Sequence, residues 1–202
     1  MTDTVPTRAA LLELQEERRA MREGHGFLDE KCLLLAGEMM RQLRRRAALD
    51  QALRQAHEDA LRTLAAALAR HGLEGLQAQP PQPQAGAALQ RQDSMLMGVR
   101  LQQAAWSTAT PTALPEAVAP SPEAQACRQA HLALLAAAAP LAAVEGNLER
   151  LSQEYRRSVR RARALQDVLL PELEHRLSDI QGRLEEIDQQ EAIAMRQGTL
   201  RG

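Results

Sequence analysis

Aromatic residues make up only 1% of this 202-residue chain, although 45% of it is hydrophobic. The apolar set is mostly Ala and Leu interleaved with Arg, Glu and Gln. That composition favours long helices over a compact globule with a broad core. Lysine is nearly missing too: Lys31 stands alone among many arginines, as codon bias in a GC-rich genome would produce. The two cysteines, Cys32 and Cys127, do not make a disulfide framework. The net charge of −1 gives no global field toward nucleic acid or membrane, and the shortage of stacking rings argues against single-stranded nucleic acid.

Other absences narrow the function further. The start, Met1-Thr2-Asp3-Thr4, lacks a basic region followed by an apolar run. The longest apolar run, Leu132–Val144, is broken by Pro140 and is too short to span a bilayer. A soluble, cytoplasmic chain is therefore expected. No Gly-rich phosphate loop, CxxC or HExxH is present. His25 is expected near His175, and His71 near His131, but two ligands are too few for a stable zinc site. No Ser/His/Asp or Cys/His set has supporting context. The expectation is a non-catalytic chain with no cofactor and no metal.

Long-range helical periodicity is what the chain does have. Apolar or small residues fall at Leu151, Tyr155, Ser158, Ala162, Leu165, Leu169, Leu173, Leu177, Ile180, Leu184 and Ile187. The steps alternate four and three, except for consecutive fours from Leu165 to Leu177. That is a coiled-coil seam with a stutter that locally unwinds the supercoil. Such a helix needs a partner of matching length. A second seam runs through Leu11, Leu14, Arg18, Met21, His25, Leu28, Cys32, Leu35 and Met39, then through Leu43, Leu49, Leu53, Ala56, Ala60, Leu64 and Leu68. Thr7 is its expected N-cap and His71-Gly72 its expected end. Gly24 and Gly26 interrupt it at a cost of about 1 kcal/mol each, which points to a close backbone approach, a bend or simple tolerance.

Between the helices, Gln77–Ala88 reads as extended or disordered and Ala109–Pro122 as a proline-rich loop. Ser94–Gln102 reads as a small strand or hairpin around Gly98. Trp106 and Met95–Met97 are expected to share an apolar patch there. Helix resumes at Pro122-Glu123, with Pro140 kinking or ending it and Pro171 bending it at the stutter. The organisation is thus an N-terminal helix over 7–71, a linker and knob over 72–122, and a C-terminal helix over 123–196. The fold class is all-α: one elongated antiparallel two-helix coiled coil about 90 Å long with a central knob. Facing residue numbers should sum to about the chain length, with both termini at one tip. Cys32 and Cys127 would then lie ~60 Å apart, too far to bridge.

One surface feature stands out. Arg41, Arg44, Arg45 and Arg46 on the first helix are expected beside Arg156, Arg157, Arg160, Arg161 and Arg163 on the second. Like charges so concentrated cost stability without an acidic partner. The belt is either a partner surface or a solvated face, with nucleic-acid binding a weak runner-up given the near-neutral charge and the shortage of aromatics.

Three blocks of residues carry a resemblance. Pro6-Thr7-Arg8 with Leu11-Leu12, Leu14, Gly24, Leu28 and Lys31 resembles the first helix of the D subunit of V/A-type ATPases. Met97-Gly98-Val99-Arg100-Leu101 is similar to that family's central hairpin, the candidate knob. Arg160-Arg161, Ala164-Leu165, Val168, Leu170-Pro171, Leu173-Glu174 and Ile180 are similar to its most recognisable stretch. Arg163 and Gln166 stand where the family usually has Asn and Glu, and Cys32 where it usually has Arg. The resemblance implies a central-stalk rotor that couples ATP hydrolysis or synthesis to ion translocation. Its implied partners are the A and B subunits of the catalytic head, the F subunit of the rotor, and the C subunit (named d in eukaryotes) on the membrane ring. It also implies a cytoplasmic location peripheral to the membrane. The helices alone also fit a coiled-coil adaptor or export chaperone.

Overall fold

The computed structural model describes residues 6–79, 88–107 and 121–199. Its elements are α1 (Arg8–Gln77), β1 (Ala88–Leu96), β2 (Val99–Ser107), α2 (Pro122–Ala164), a π-helical turn (Leu165–Leu169) and α3 (Leu170–Thr199). This is the expected all-α coiled coil with a small hairpin. Most of the Gln77–Ala88 and Ala109–Pro122 segments, like Met1–Val5, lies outside the described residues.

Local chemistry accounts for the helix ends. Thr7 caps α1: the amide of Ala10 donates to Thr7 Oγ1 at 3.1 Å. Gly72 breaks the helical path with φ +67°, and the chain then makes further helix to Gln77. Gly24 and Gly26 sit within α1 with nothing within 4 Å of an added Cβ. Close backbone approach is therefore not their role, and the helix tolerates them. Pro140 lies inside α2, which passes through it without ending. Pro171 follows the π turn, in which the Leu170 amide donates to the Leu165 carbonyl. Widening the helix just before the proline relieves the clash between its ring and the carbonyl four residues back. The stutter read from the sequence coincides with this turn.

The chain divides into two compact units. The terminal unit comprises Met1–Leu34 and Tyr155–Gly202. Its core is Leu14, Leu173, Leu177 and Ile180, flanked by Ala10, Leu11, Met21 and Leu184. Ion pairs Arg8–Asp188 and Arg22–Glu174 set the antiparallel register.

The middle unit is Leu35–Glu154. Leu35, Ala60, Ala67, Val144 and Leu151 are buried there. Register is marked by Arg46–Glu145 and Arg70–Glu123. The seam differs from expectation at Leu43 here and at Leu169 and Ile187 in the terminal unit, all three being exposed. Glu38 and Gln42 are buried while Leu43 is exposed, because these polar side chains bond to one another and face the hairpin. Cys32 and Cys127 are free and belong to different units.

Continuity through Pro140 has a further consequence. Among the described residues, the helix Pro122–Gln197 is long and apolar enough to cross a membrane by length and composition. The apolar run Leu132–Val144 is short by itself, but the helix that carries it does not break at Pro140. This helix nonetheless buries Asn147 and Ser158, polar residues suited to a protein seam.

Candidate functional site

The hairpin is short, exposed and clamped from one side. β1 and β2 pair antiparallel without a bulge, Leu96 opposite Val99 and Ala88 opposite Ser107. Met97 (φ +47°) and Gly98 (φ +84°) make the turn, and two positive φ values fit the type I′ geometry that matches strand twist. The hairpin thus extends well beyond Ser94–Gln102. Of the candidate knob residues, Met97 and Gly98 form the turn, while Val99, Arg100 and Leu101 open β2. Val99 is buried. Trp106 pairs with Leu89 at the far end from Met95–Met97, so no shared patch forms.

Asn147 on α2 is the clamp. Its Nδ2 donates to the Gln102 carbonyl and its Oδ1 accepts from the Gln102 amide, both at 2.8 Å. The side-chain amide thereby acts as a missing neighbouring strand. Arg150 reinforces it, donating to Asn147 Oδ1 at 2.7 Å and to the Arg100 carbonyl at 2.9 Å. Gly146 leaves room: a Cβ there would meet the Arg150 guanidinium at 3.3 Å.

Beneath the hairpin is a cavity of about 430 Å³ lined by Glu38, Arg41, Gln42, Arg45, Asn147 and strand residues. Arg41 is ion-paired to Glu38. Gln42 Nε2 donates to Glu38 Oε1 at 2.7 Å, while Gln42 Oε1 is buried without a partner.

At the N-terminal end of α2, Ser121 is the N-cap. Its Oγ accepts from the Ala124 amide at 3.2 Å, meets His71 Nε2 at 2.6 Å and donates to Glu123 Oε2 at 3.3 Å. Arg70 joins through Glu123 at 3.0 Å. The helix-terminal backbone amide, ahead of Arg70 and Ser121, holds the Glu123 carboxyl below its usual value. Ser121 is thus occupied as a cap. His71 faces Ser121, while His131 Nδ1 lies on the Cys127 carbonyl at 2.8 Å. No group of three metal-ligating side chains occurs among the described residues.

The arginine belt divides between the units. Arg41, Arg44, Arg45 and Arg46 are in the middle unit, and Arg156, Arg157, Arg160, Arg161 and Arg163 in the terminal one. All nine are exposed. Arg41 and Arg46 are neutralised within the chain by Glu38 and Glu145. The Glu145 hydrogen bond and charge hold Arg46 above its usual value.

The family model for the D subunit of ATP synthase matches residues 10–197, nearly all of this architecture. The chain belongs to that family. The D subunit of the V-type ATP synthase of Anaeromyxobacter dehalogenans is 30% identical over 97% of this chain and 95% of its own length. The Thermotoga neapolitana protein of the same name is 25% identical over 95% and 94%. That of Anaeromyxobacter sp. strain K is 29% identical over 97% and 95%. Membership makes this chain a subunit of a V-type ATP synthase complex.

Sequence reasoning missed Asn147, Arg150, Glu38, Gln42 and Ser121. Two signals were present. Val144, Asn147 and Leu151 keep seam spacing with a polar residue in the middle, and Ser121 directly precedes Pro122-Glu123, a capping arrangement.

Proposed function

We propose that this subunit is the central-stalk rotor shaft, coupling ATP hydrolysis or synthesis in the catalytic head to ion translocation through the membrane ring. The observation that carries the reading is the antiparallel pairing of N- and C-terminal helices in each unit of a family member. Coiled-coil packing supplies torsional stiffness. An asymmetric cross-section supplies the differential contact energy that three similar catalytic sites need at each angle. No catalytic group is required on the shaft. Its partners in this reading are the A and B subunits of the head, the F subunit of the rotor, and the C (or d) subunit at the ring. Its place is the cytoplasmic side, peripheral to the membrane.

Arg44, Arg45, Arg156, Arg157, Arg160, Arg161 and Arg163 are the belt residues other than the ion-paired Arg41 and Arg46. They are the residues we assign to acidic partner loops. The hairpin around Met97–Leu101 is the knob, and Pro171 marks the helical irregularity of the shaft. The test is ATP-driven ion uptake by the complex reconstituted in vesicles. Arg157→Glu with Arg160→Glu is expected to lower coupled transport by about tenfold, since like charges oppose docking. Unchanged assembly and coupling would sink the belt assignment. Full coupling in a complex lacking this chain would sink the rotor reading.

A further inference from the structure

The clamp on β2 leaves the other edge of the hairpin with defined chemistry. Asn147 takes both backbone groups of Gln102, and Arg150 takes the Arg100 carbonyl. Backbone groups at alternate β2 residues therefore face away from β1. In an antiparallel ladder their opposite residues also face outward. Asp93 lies opposite Gln102 and Met95 opposite Arg100. The outward-facing backbone of β1 is thus that of Leu89, Arg91, Asp93 and Met95. Among the described residues the sheet has only these two strands, and nothing pairs with this edge. All four side chains share one face and are exposed, Met95 at 69%.

These residues read apolar, positive, negative, apolar. When such an edge meets its own copy antiparallel about Gln92, Arg91 falls opposite Asp93 of the second copy, twice. Leu89 falls opposite Met95 of that copy, also twice. Sliding by two residues instead sets Arg91 on Arg91, or Asp93 on Asp93. Opposite charges and apolar pairs directly across a ladder stabilise it, and like charges destabilise it, so one register is selected. The existing Asp93–Arg100 contact at 3.6 Å engages one carboxylate oxygen and leaves the other for the incoming arginine.

We propose that the β1 edge pairs with β1 of a second copy of this chain, joining two hairpins into a four-stranded sheet across a two-fold axis. The clamp from α2 supports the β2 side of the ribbon, while the open β1 edge is a template for pairing. No other occupant is specified by the edge as fully as its own copy. The pairing is a property of the free chain and does not depend on the rotor reading.

Sedimentation equilibrium of the full chain tests it, with reductant present so that Cys32 forms no disulfide dimer. The expected result is a concentration-dependent monomer–dimer equilibrium. Asp93→Arg should weaken association by about tenfold, because two attractive pairs become repulsive. Adding Arg91→Asp to Asp93→Arg restores complementarity and should return the dimer to near its original strength. Circular dichroism checks that each variant folds. A chain that stays monomeric at all concentrations would overturn the proposal. So would a dimer indifferent to Asp93→Arg, or one that the double substitution fails to restore.

Discussion

Asn147→Ala leaves the amide and carbonyl of Gln102 without their partner and strips Arg150 of one acceptor. Leaving a buried backbone group unsatisfied costs about 1–3 kcal/mol, and Gln102 is half-buried, so the lower part of that range applies. Urea denaturation should show a loss of that size, and the Gln102 amide should exchange faster with solvent. Glu123 gives a prediction in pH. Its carboxyl sits below its usual value near 4.5, so the native state favours the charged form. That stabilisation is fully present above about pH 4.5 and is lost as pH falls through the lowered value. Glu123→Gln should therefore be less stable than the parent at neutral pH, with the difference closing below about pH 4.5; thermal melts across pH 3–7 would measure it. Neither residue announced its role in the sequence. The seam spacing of Asn147 gave its face, but its partner is strand backbone, and backbone carries no residue-specific signal.

At the scale of elements, the helices were legible because their seams persist over many turns. Leu14, Leu173, Leu177 and Ile180 were all read as seam residues and are all buried. The reading slipped at Leu43, where Gln42 donates to Glu38 inside, and at Leu169 and Ile187, which are exposed; hydrophobic periodicity has no means of anticipating a polar pair on the seam. The hairpin was read too short for a related reason. β1 is mostly polar and exposed on both faces, so the alternation that marks a half-buried strand is missing. Its turn residues, Met97-Gly98, also depart from the Asn-Gly that type I′ geometry favours. This yields a prediction: Met97→Asn should stabilise the hairpin by about 1 kcal/mol by easing the positive φ. Gly98→Val, at φ +84° with open space around it, should cost about 1–2 kcal/mol through backbone strain alone. Chemical denaturation of both variants separates the two effects.

For the whole molecule, the order of elements and the family match over residues 10–197 agree with what three sequence blocks implied. The belt was legible as composition, yet its energetics were not. Arg41 and Arg46 have acids within the chain, and only three-dimensional register brings Glu145 to Arg46. The central claim is that this subunit turns as a single shaft within a head of three catalytic sites. Co-purification of a tagged, natively expressed chain, with stoichiometry by mass spectrometry, tests it most directly. The account predicts one copy of this chain, with the F subunit, for every three catalytic subunits; recovery as a free chain, or only with proteins unrelated to the ATPase, would contradict it.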